Sequence, residues 1–253
     1  MVAPDIGLLE GLATTRAIRR YTDQPVSDED LGAILWAATR APSGSNRQPF
    51  RFVVLRDGPG ATEAKGILGR SFRAAWAEKV EADGYRRGSG GSDDSPKART
   101  GRAMQQFVDR FESTPVVVLA CLGRHRAAHL SEGASVFPAC QNLLLAARAR
   151  GLGGVMTMWH QAVDAELRGV LGIPDDIVIA ATIPLGHPEG GHGPVRRRPV
   201  GELVFDDRWE GVAPWAVDPP GTRFTGAGPP PGPDATPGRE GGPGGGASVT
   251  PAG

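Results

Sequence analysis

Two cysteines in 253 residues are too few for a disulfide scaffold. Cys121 and Cys140 each sit in an apolar run, so buried free thiols in a reducing cytoplasm are expected. Charge of one sign is lacking too. Lys+Arg and Asp+Glu number 28 each, for a net charge of +0, so no bulk field draws the chain to nucleic acid or an anionic membrane. Any basic function has to be local. The first 25 residues hold no apolar leader-like core, and no run approaches the ~20 apolar residues of a membrane span. The five histidines, His125, His129, His160, His187 and His192, lack metal-ligand spacing and read as structural or surface groups. No internal repeat is visible. These deficits leave a soluble, cytoplasmic protein as the expectation, with no nucleic-acid, membrane or metal partner.

What is present is 40% hydrophobic sequence, enough for one sizeable core over residues 1 to 213. From Pro214 to Gly253 the chain is dominated by Gly and Pro without periodicity, and a disordered tail is expected there. The segment "DGYRRGSGGSDDSPKART" (83–100) reads as a loose internal loop, with a substrate-gating role weighed against a plain solvated connector.

Between these lie patterned elements. Ser27 followed by Asp28, Glu29 and Asp30 is a helix start, and Leu31, Ile34, Leu35 and Ala38 line one face of that helix. A strand is expected at 51–55, then a helix from about Ala61 to Ala82, and another near Arg102–Glu112. "PVVVLACL" (115–122) and "DIVIAATIPLG" (176–186) read as strands. "PACQNLLLAARARG" reads as a long apolar helix ending at Gly151, and a short helix is expected at 164–171. Strands separated by helices make a layered αβ protein.

Four stretches carry candidate chemistry. In "TTRAIRRYTDQPV" (14–26), Arg16, Arg19 and Arg20 cluster at the end of a short helix. Like charges at i,i+3 or i,i+4 repel unless an anion sits between them; a solvated helix face is the plain alternative. In "RAPSGSNRQPFRFVVL" (40–55), Pro42, Ser43, Gly44 and Asn46 precede a strand and offer a close polar approach, or simply an ordinary turn. Gly153 and Gly154 let backbone N–H groups come near a ligand, although a helix cap running into a strand looks similar. "GPVRRRPV" (193–200) sets Arg196, Arg197 and Arg198 against a proline, a run that is otherwise plain surface.

Taken in order, these stretches, with "PACQNLLLAARARGLGG", "IPLGHPEG" and "RRRPVGELV", resemble the FMN-dependent nitroreductase family over about residues 8–212, omitting the loose loop. The resemblance implies an α+β fold of three layers, with a central mostly antiparallel sheet flanked by helices, in a homodimer with shared FMN sites. It implies NAD(P)H as reductant and an electron-poor small-molecule acceptor. The alternatives are another flavin reaction, such as substrate oxidation or reductive dehalogenation, or a non-catalytic flavin-binding subunit. The family's R-[RH]-S-x-[RK] block, which grips FMN, falls on Thr15, Arg16, Ala17, Ile18 and Arg19. Thr15 and Ala17 depart from it, and Arg20 is a candidate to compensate. Pro42, Ser43, Gly44 and Asn46 match residues that reach the flavin of the other subunit. Gly153 and Gly154 match the backbone beside flavin N5, and Arg197, flanked by Arg196 and Arg198, matches a late phosphate-binding base. The hydride chemistry belongs to the flavin, so no catalytic nucleophile or base is expected.

Overall fold

The computed structural model describes residues 6–85, 95–129 and 131–224. The described chain falls into two units divided between Val195 and Arg196.

The first unit is built on one antiparallel sheet in the order β1-β2-β4-β3. Strand β1 spans Phe50–Leu55, β2 Val116–Gly123, β3 Gly153–Gly154 and β4 Ile177–Gly186. The expected three layers follow from how β2 is used. Its unbroken apolar run is buried on both faces, because helices cover both. Val117, Leu119 and Cys121 join Phe72, Trp76, Phe107 and Phe111, from helices α3 (Pro59–Ala82) and α4 (Pro96–Asp109) and the turn after α4. Val116, Val118, Ala120 and Leu122 face the opposite layer, where α2 (Asp28–Ala38) supplies Ile34 and Ala38, and α5 (Phe137–Ala149) supplies Ala139, Cys140 and Leu143.

A bulge lets β4 serve both layers. Ala120 pairs with Ala181 but Cys121 pairs with Ile179, so Ala180 is the extra residue. The insertion flips the alternation: Ala181, Ile183 and Leu185 face α2 and α5, while Ile179 faces α3. The two free cysteines lie in opposite layers. Burial pushes the Cys121 thiol up to about 11 and the Cys140 thiol up to about 12, which keeps both protonated and inert.

The helix signals operate as their chemistry requires. Ser27 Oγ accepts the Asp30 N–H at 3.0 Å and caps α2. Helix α6 (Asp164–Leu171) ends on Gly172, whose φ of 63° is the left-handed conformation glycine tolerates best. Two expectations shift. Helix α4 begins at Pro96, not near Arg102, because Ser95 Oγ accepts the Ala98 N–H at 3.1 Å and Pro occupies the first helical position. The described end of the supposed 83–100 loop is therefore helical, and its central part lies outside the described residues. Helix α1 (Leu8–Thr14) stops before Arg16, with Thr15 already extended. Arg16, Arg19 and Arg20 thus share no helical face.

The second unit, from Arg196, contains a short parallel pair, β5 (Arg196–Arg197) with β6 (Arg223–Phe224). Asp218 Oδ2 accepts the Val200 N–H at 3.0 Å, and Trp215 Nε1 donates to Asp206 at 3.1 Å. Residues 214–224 belong to the same unit as 196–213. Residues 225–253 of the expected tail lie outside the described residues.

Candidate functional site

Beyond α1 the chain runs extended beside residues 187–195. Thr22 donates to His187 O at 2.9 Å, Glu189 donates to Arg20 O at 3.1 Å, and Gly193 donates to Thr14 O at 3.1 Å. This zipper explains why the helix has to end. The Thr14 carbonyl is among those a helix end leaves free, and past it an extended backbone has N–H and C=O groups to pair where the middle of a helix has none. Tyr21 anchors it from below. Its hydroxyl lies 2.7 Å from Ile18 O and 3.1 Å from Pro184 O, and burial pushes its pKa well above the ordinary tyrosine value.

The arginine station and the glycine pair, far apart in sequence, meet here. Ile18 N–H donates to Gly154 O at 3.0 Å. A Cβ on Gly153 would lie 2.5 Å from Ile18 Cγ1, and one on Gly154 would lie 2.6 Å from Pro184 O. Both glycines are required by the packing of the chain on itself. His192 fastens the same junction: the Arg16 N–H donates to its Nδ1 at 3.3 Å, and its Nε2 lies 3.0 Å from Leu152 O. A carbonyl can only accept, so Nε2 carries the proton and Nδ1 is the acceptor. Burial, with Arg148 and Arg16 nearby, lowers the His192 pKa.

Two adjoining clefts, about 260 and 280 Å³, open on this junction and share Arg19 and Arg20. Arg16 also lines one of them, with Ala17 and the Gly190–Gly191 backbone; its Nη2 donates to Gly191 O at 3.0 Å. Helix α4 walls both clefts, with Ala103 and Met104 on one and Gln106 and Phe107 on the other. Arg110, just beyond its end, reaches Glu189 at 3.3 Å, and Arg20 lies 3.9 Å from the same carboxylate. Arg19 differs from its neighbours. It is half-buried, burial lowers its pKa, and among the described residues no carboxylate pairs with it. A desolvated cation without a counter-charge suits an anion or a partial negative charge brought by a ligand. Gln106 and Arg110 escaped the sequence reading, although their i,i+4 spacing at the end of a helix was a signal.

The stretch Pro42–Asn46 is elsewhere. Ser45, Asn46 and Gln48 all adopt left-handed φ, at 52°, 50° and 50°, which costs a non-glycine residue roughly 1–2 kcal/mol each. The turn is held by Ser43 Oγ, which accepts the Gln48 N–H at 2.8 Å, and Ser135 Oγ, which accepts the Gly44 N–H at 3.3 Å. It lies at the Gly123 end of β2, where Gly123 N–H donates to Pro49 O, whereas Gly186, beside Gly153, packs on Pro115 at the other end. The eight residues of β2 span about 23 Å at ~3.3 Å per residue. One protomer therefore cannot bring Pro42–Asn46 to Arg16–Arg20. Arg196 and Arg197 are exposed in β5 of the second unit, and Arg198 pairs there with Glu202 at 2.8 Å.

The nitroreductase family model matches residues 12–187, a span that holds the zipper start, the strained turn and the glycine pair. The chain belongs to the nitroreductase family. It is an oxidoreductase of that family, whose cofactor is FMN and whose reductant is NAD(P)H. It is 30% identical over 200 residues to an NADH dehydrogenase of Thermus thermophilus, covering 75% of this chain and 91% of that one. A nitrobenzene nitroreductase of Ectopseudomonas oleovorans is 29% identical over 195 residues, 68% of this chain and 82% of its own. Among solved structures, a nitroreductase from Desulfovibrio desulfuricans in complex with FMN superposes with a TM-score of 0.57 and 29% identity, covering 81% of this chain and 98% of that one.

Proposed function

We propose that this nitroreductase reduces an electron-poor acceptor, a nitroaromatic or a quinone, at the expense of NAD(P)H, the two substrates alternating in ping-pong order at a site shared by two protomers. The observation that carries the reading is Arg19, a half-buried cation without a counter-charge among the described residues, beside a glycine pair packed under the same backbone. Bound FMN would supply the two-electron hydride chemistry.

The residues present fit that cofactor. Arg16, Arg19 and Arg20 line joined clefts and supply the cations an anionic cofactor requires, so Thr15 and Ala17 in place of the family's usual residues do not empty the site of positive charge. Arg19 would stabilise negative charge at the edge of the ring. Gly153 and Gly154 permit close approach, and His192 holds their strand to Arg16.

The homodimer follows from the separation along β2. If Pro42, Ser43, Gly44 and Asn46 are to touch the same cofactor as Arg16 and Arg19, they come from the partner. Leu8, Leu9 and Leu12 of α1 and Trp36 of α2 are exposed and suit the apolar centre of such an interface.

The test is anaerobic. Purified protein is expected to bind FMN, to be bleached by NADH or NADPH, and to regain colour on adding nitrobenzene or a quinone. Protein that binds no FMN at micromolar concentration would defeat the reading and leave a member of the family without its chemistry.

A further inference from the structure

The strained turn opens on a cleft of about 380 Å³, whose wall includes Pro42, Ser43 and Gly44 and whose basic residues the flavin reading leaves without a role. Its walls carry Arg47, Arg124, Arg126, His125 and His129, with the hydroxyls of Ser131 and Ser135. The one carboxylate among the described lining residues, Glu132, is engaged by both Nε and Nη2 of Arg124. Arg126 is held differently. Its Nε donates to His129 Nε2 at 2.8 Å, so that nitrogen carries no proton, and His129 Nδ1 faces Ser131 Oγ at 3.1 Å. The guanidinium is thus oriented by a partner that does not neutralise it. Arg47 has no carboxylate partner among the described residues either. A concave site of ligand size with two uncompensated guanidiniums, one of them oriented, is built for an anion.

We propose that this cleft holds the anionic group, carboxylate or phosphate, of a substrate lying on the flavin of the partner protomer. The proposal rests on the reading that Pro42–Asn46 walls that flavin. Arg47 follows the wall directly, and the Gly44 N–H bonds Ser135 within the cleft, so the anion site and the flavin wall are continuous. The cleft lies at the opposite end of β2 from Arg16 and Arg19, so within a protomer it is distinct from the candidate cofactor site. Two substrates could bring the anion: an acceptor bearing a carboxylate, or the additional phosphate of NADPH.

The experiment uses holoenzyme, wild type and Arg126→Ala, with Arg126→Lys as the charge-keeping control. Benzoate and benzamide, nearly the same shape, are titrated calorimetrically. Wild type is expected to prefer benzoate by about tenfold, Arg126→Lys to keep most of that preference, and Arg126→Ala to bring it near unity. Kinetics then identify the source. A fall in the kcat/KM ratio of 4-nitrobenzoate over 4-nitrobenzamide in Arg126→Ala assigns the anion to the acceptor, and a fall in the NADPH over NADH ratio assigns it to the reductant. Each is a ratio within one variant, so a general loss of folding does not move it. Equal affinity for benzoate and benzamide in wild type, with both kinetic ratios unmoved by Arg126→Ala, would overturn the proposal. Failure to bind FMN or to turn over any acceptor would instead defeat the flavin reading, and the benzoate preference would still decide the cleft.

Discussion

Ile18 lies directly over Gly153, its N–H bonded to Gly154 O and its Cγ1 2.5 Å from where a Cβ on Gly153 would stand. The contact joins the arginine station to the strand that walls the candidate flavin site. The two glycines differ in what an added methyl would meet. At Gly153 it meets Ile18 at both Cγ1 and Cβ, the latter 2.8 Å away and moved by no turn of the side chain, and at Gly154 it meets the Pro184 carbonyl, which is fixed in β4. Gly153→Ala and Gly154→Ala are therefore each expected to destabilise by about 2–3 kcal/mol, in the range of overpacked cores. Urea unfolding of the two variants checks it, and a variant as stable as wild type would contradict the contact.

Arg19→Met is expected to separate stability from function. Removing a desolvated cation that no carboxylate pairs with among the described residues should leave the apo protein as stable as wild type or more so, while FMN affinity falls. The midpoint potential of bound flavin should drop by roughly 30–60 mV, the equivalent of one charge-assisted hydrogen bond of ~1.5–3 kcal/mol. Thermal melting of apo protein and a reductive titration of holoenzyme measure both. A potential equal to wild type would remove Arg19 from the ring edge.

His192 should make the junction sensitive to acid. Its folded pKa lies below the ordinary ~6.5 of the unfolded chain, so the neutral ring is the form the fold prefers. The stability it contributes is fully present above about pH 6.5 and is lost as pH falls toward its folded pKa, where protonation removes the Nδ1 acceptor of the Arg16 N–H. His160 shifts in the same direction through burial and adds to the slope. His192→Gln is expected to be less stable at about pH 7.5 and to lose less on acidification, in urea midpoints taken down to about pH 5.

Leu9 is exposed beside Leu8 and Leu12 on a helix of seven residues. Leu9→Asp is expected to shift sedimentation from dimer to monomer at micromolar concentration and to release FMN, since a monomer keeps only one wall of the site. A flavin-loaded monomer would contradict the shared site.

Much of the fold was legible because its signals are local. Ser27 with three following acids, the all-apolar 116–122, and Gly151 after a long apolar helix each act over one turn or one strand, where backbone hydrogen bonding and burial decide the element. Membership of a flavin family was legible from short blocks kept in order. Local signals failed where a distant segment competed. Arg16–Arg20 follows a helix, and pairing with residues 187–195 and with Gly154 draws it into extended chain. The bulge at Ala180 leaves no mark in a run that is apolar except at Thr182, since only the two opposed helical layers require β4 to change face. Gly153 looked like room for a ligand, and packing against Ile18 shows a requirement inside the fold itself. The distance along β2 that sets Pro42–Asn46 apart from Arg16–Arg20 is a property of the assembled sheet: sequence order fixes which residues exist, and strand pairing fixes how far apart they stand.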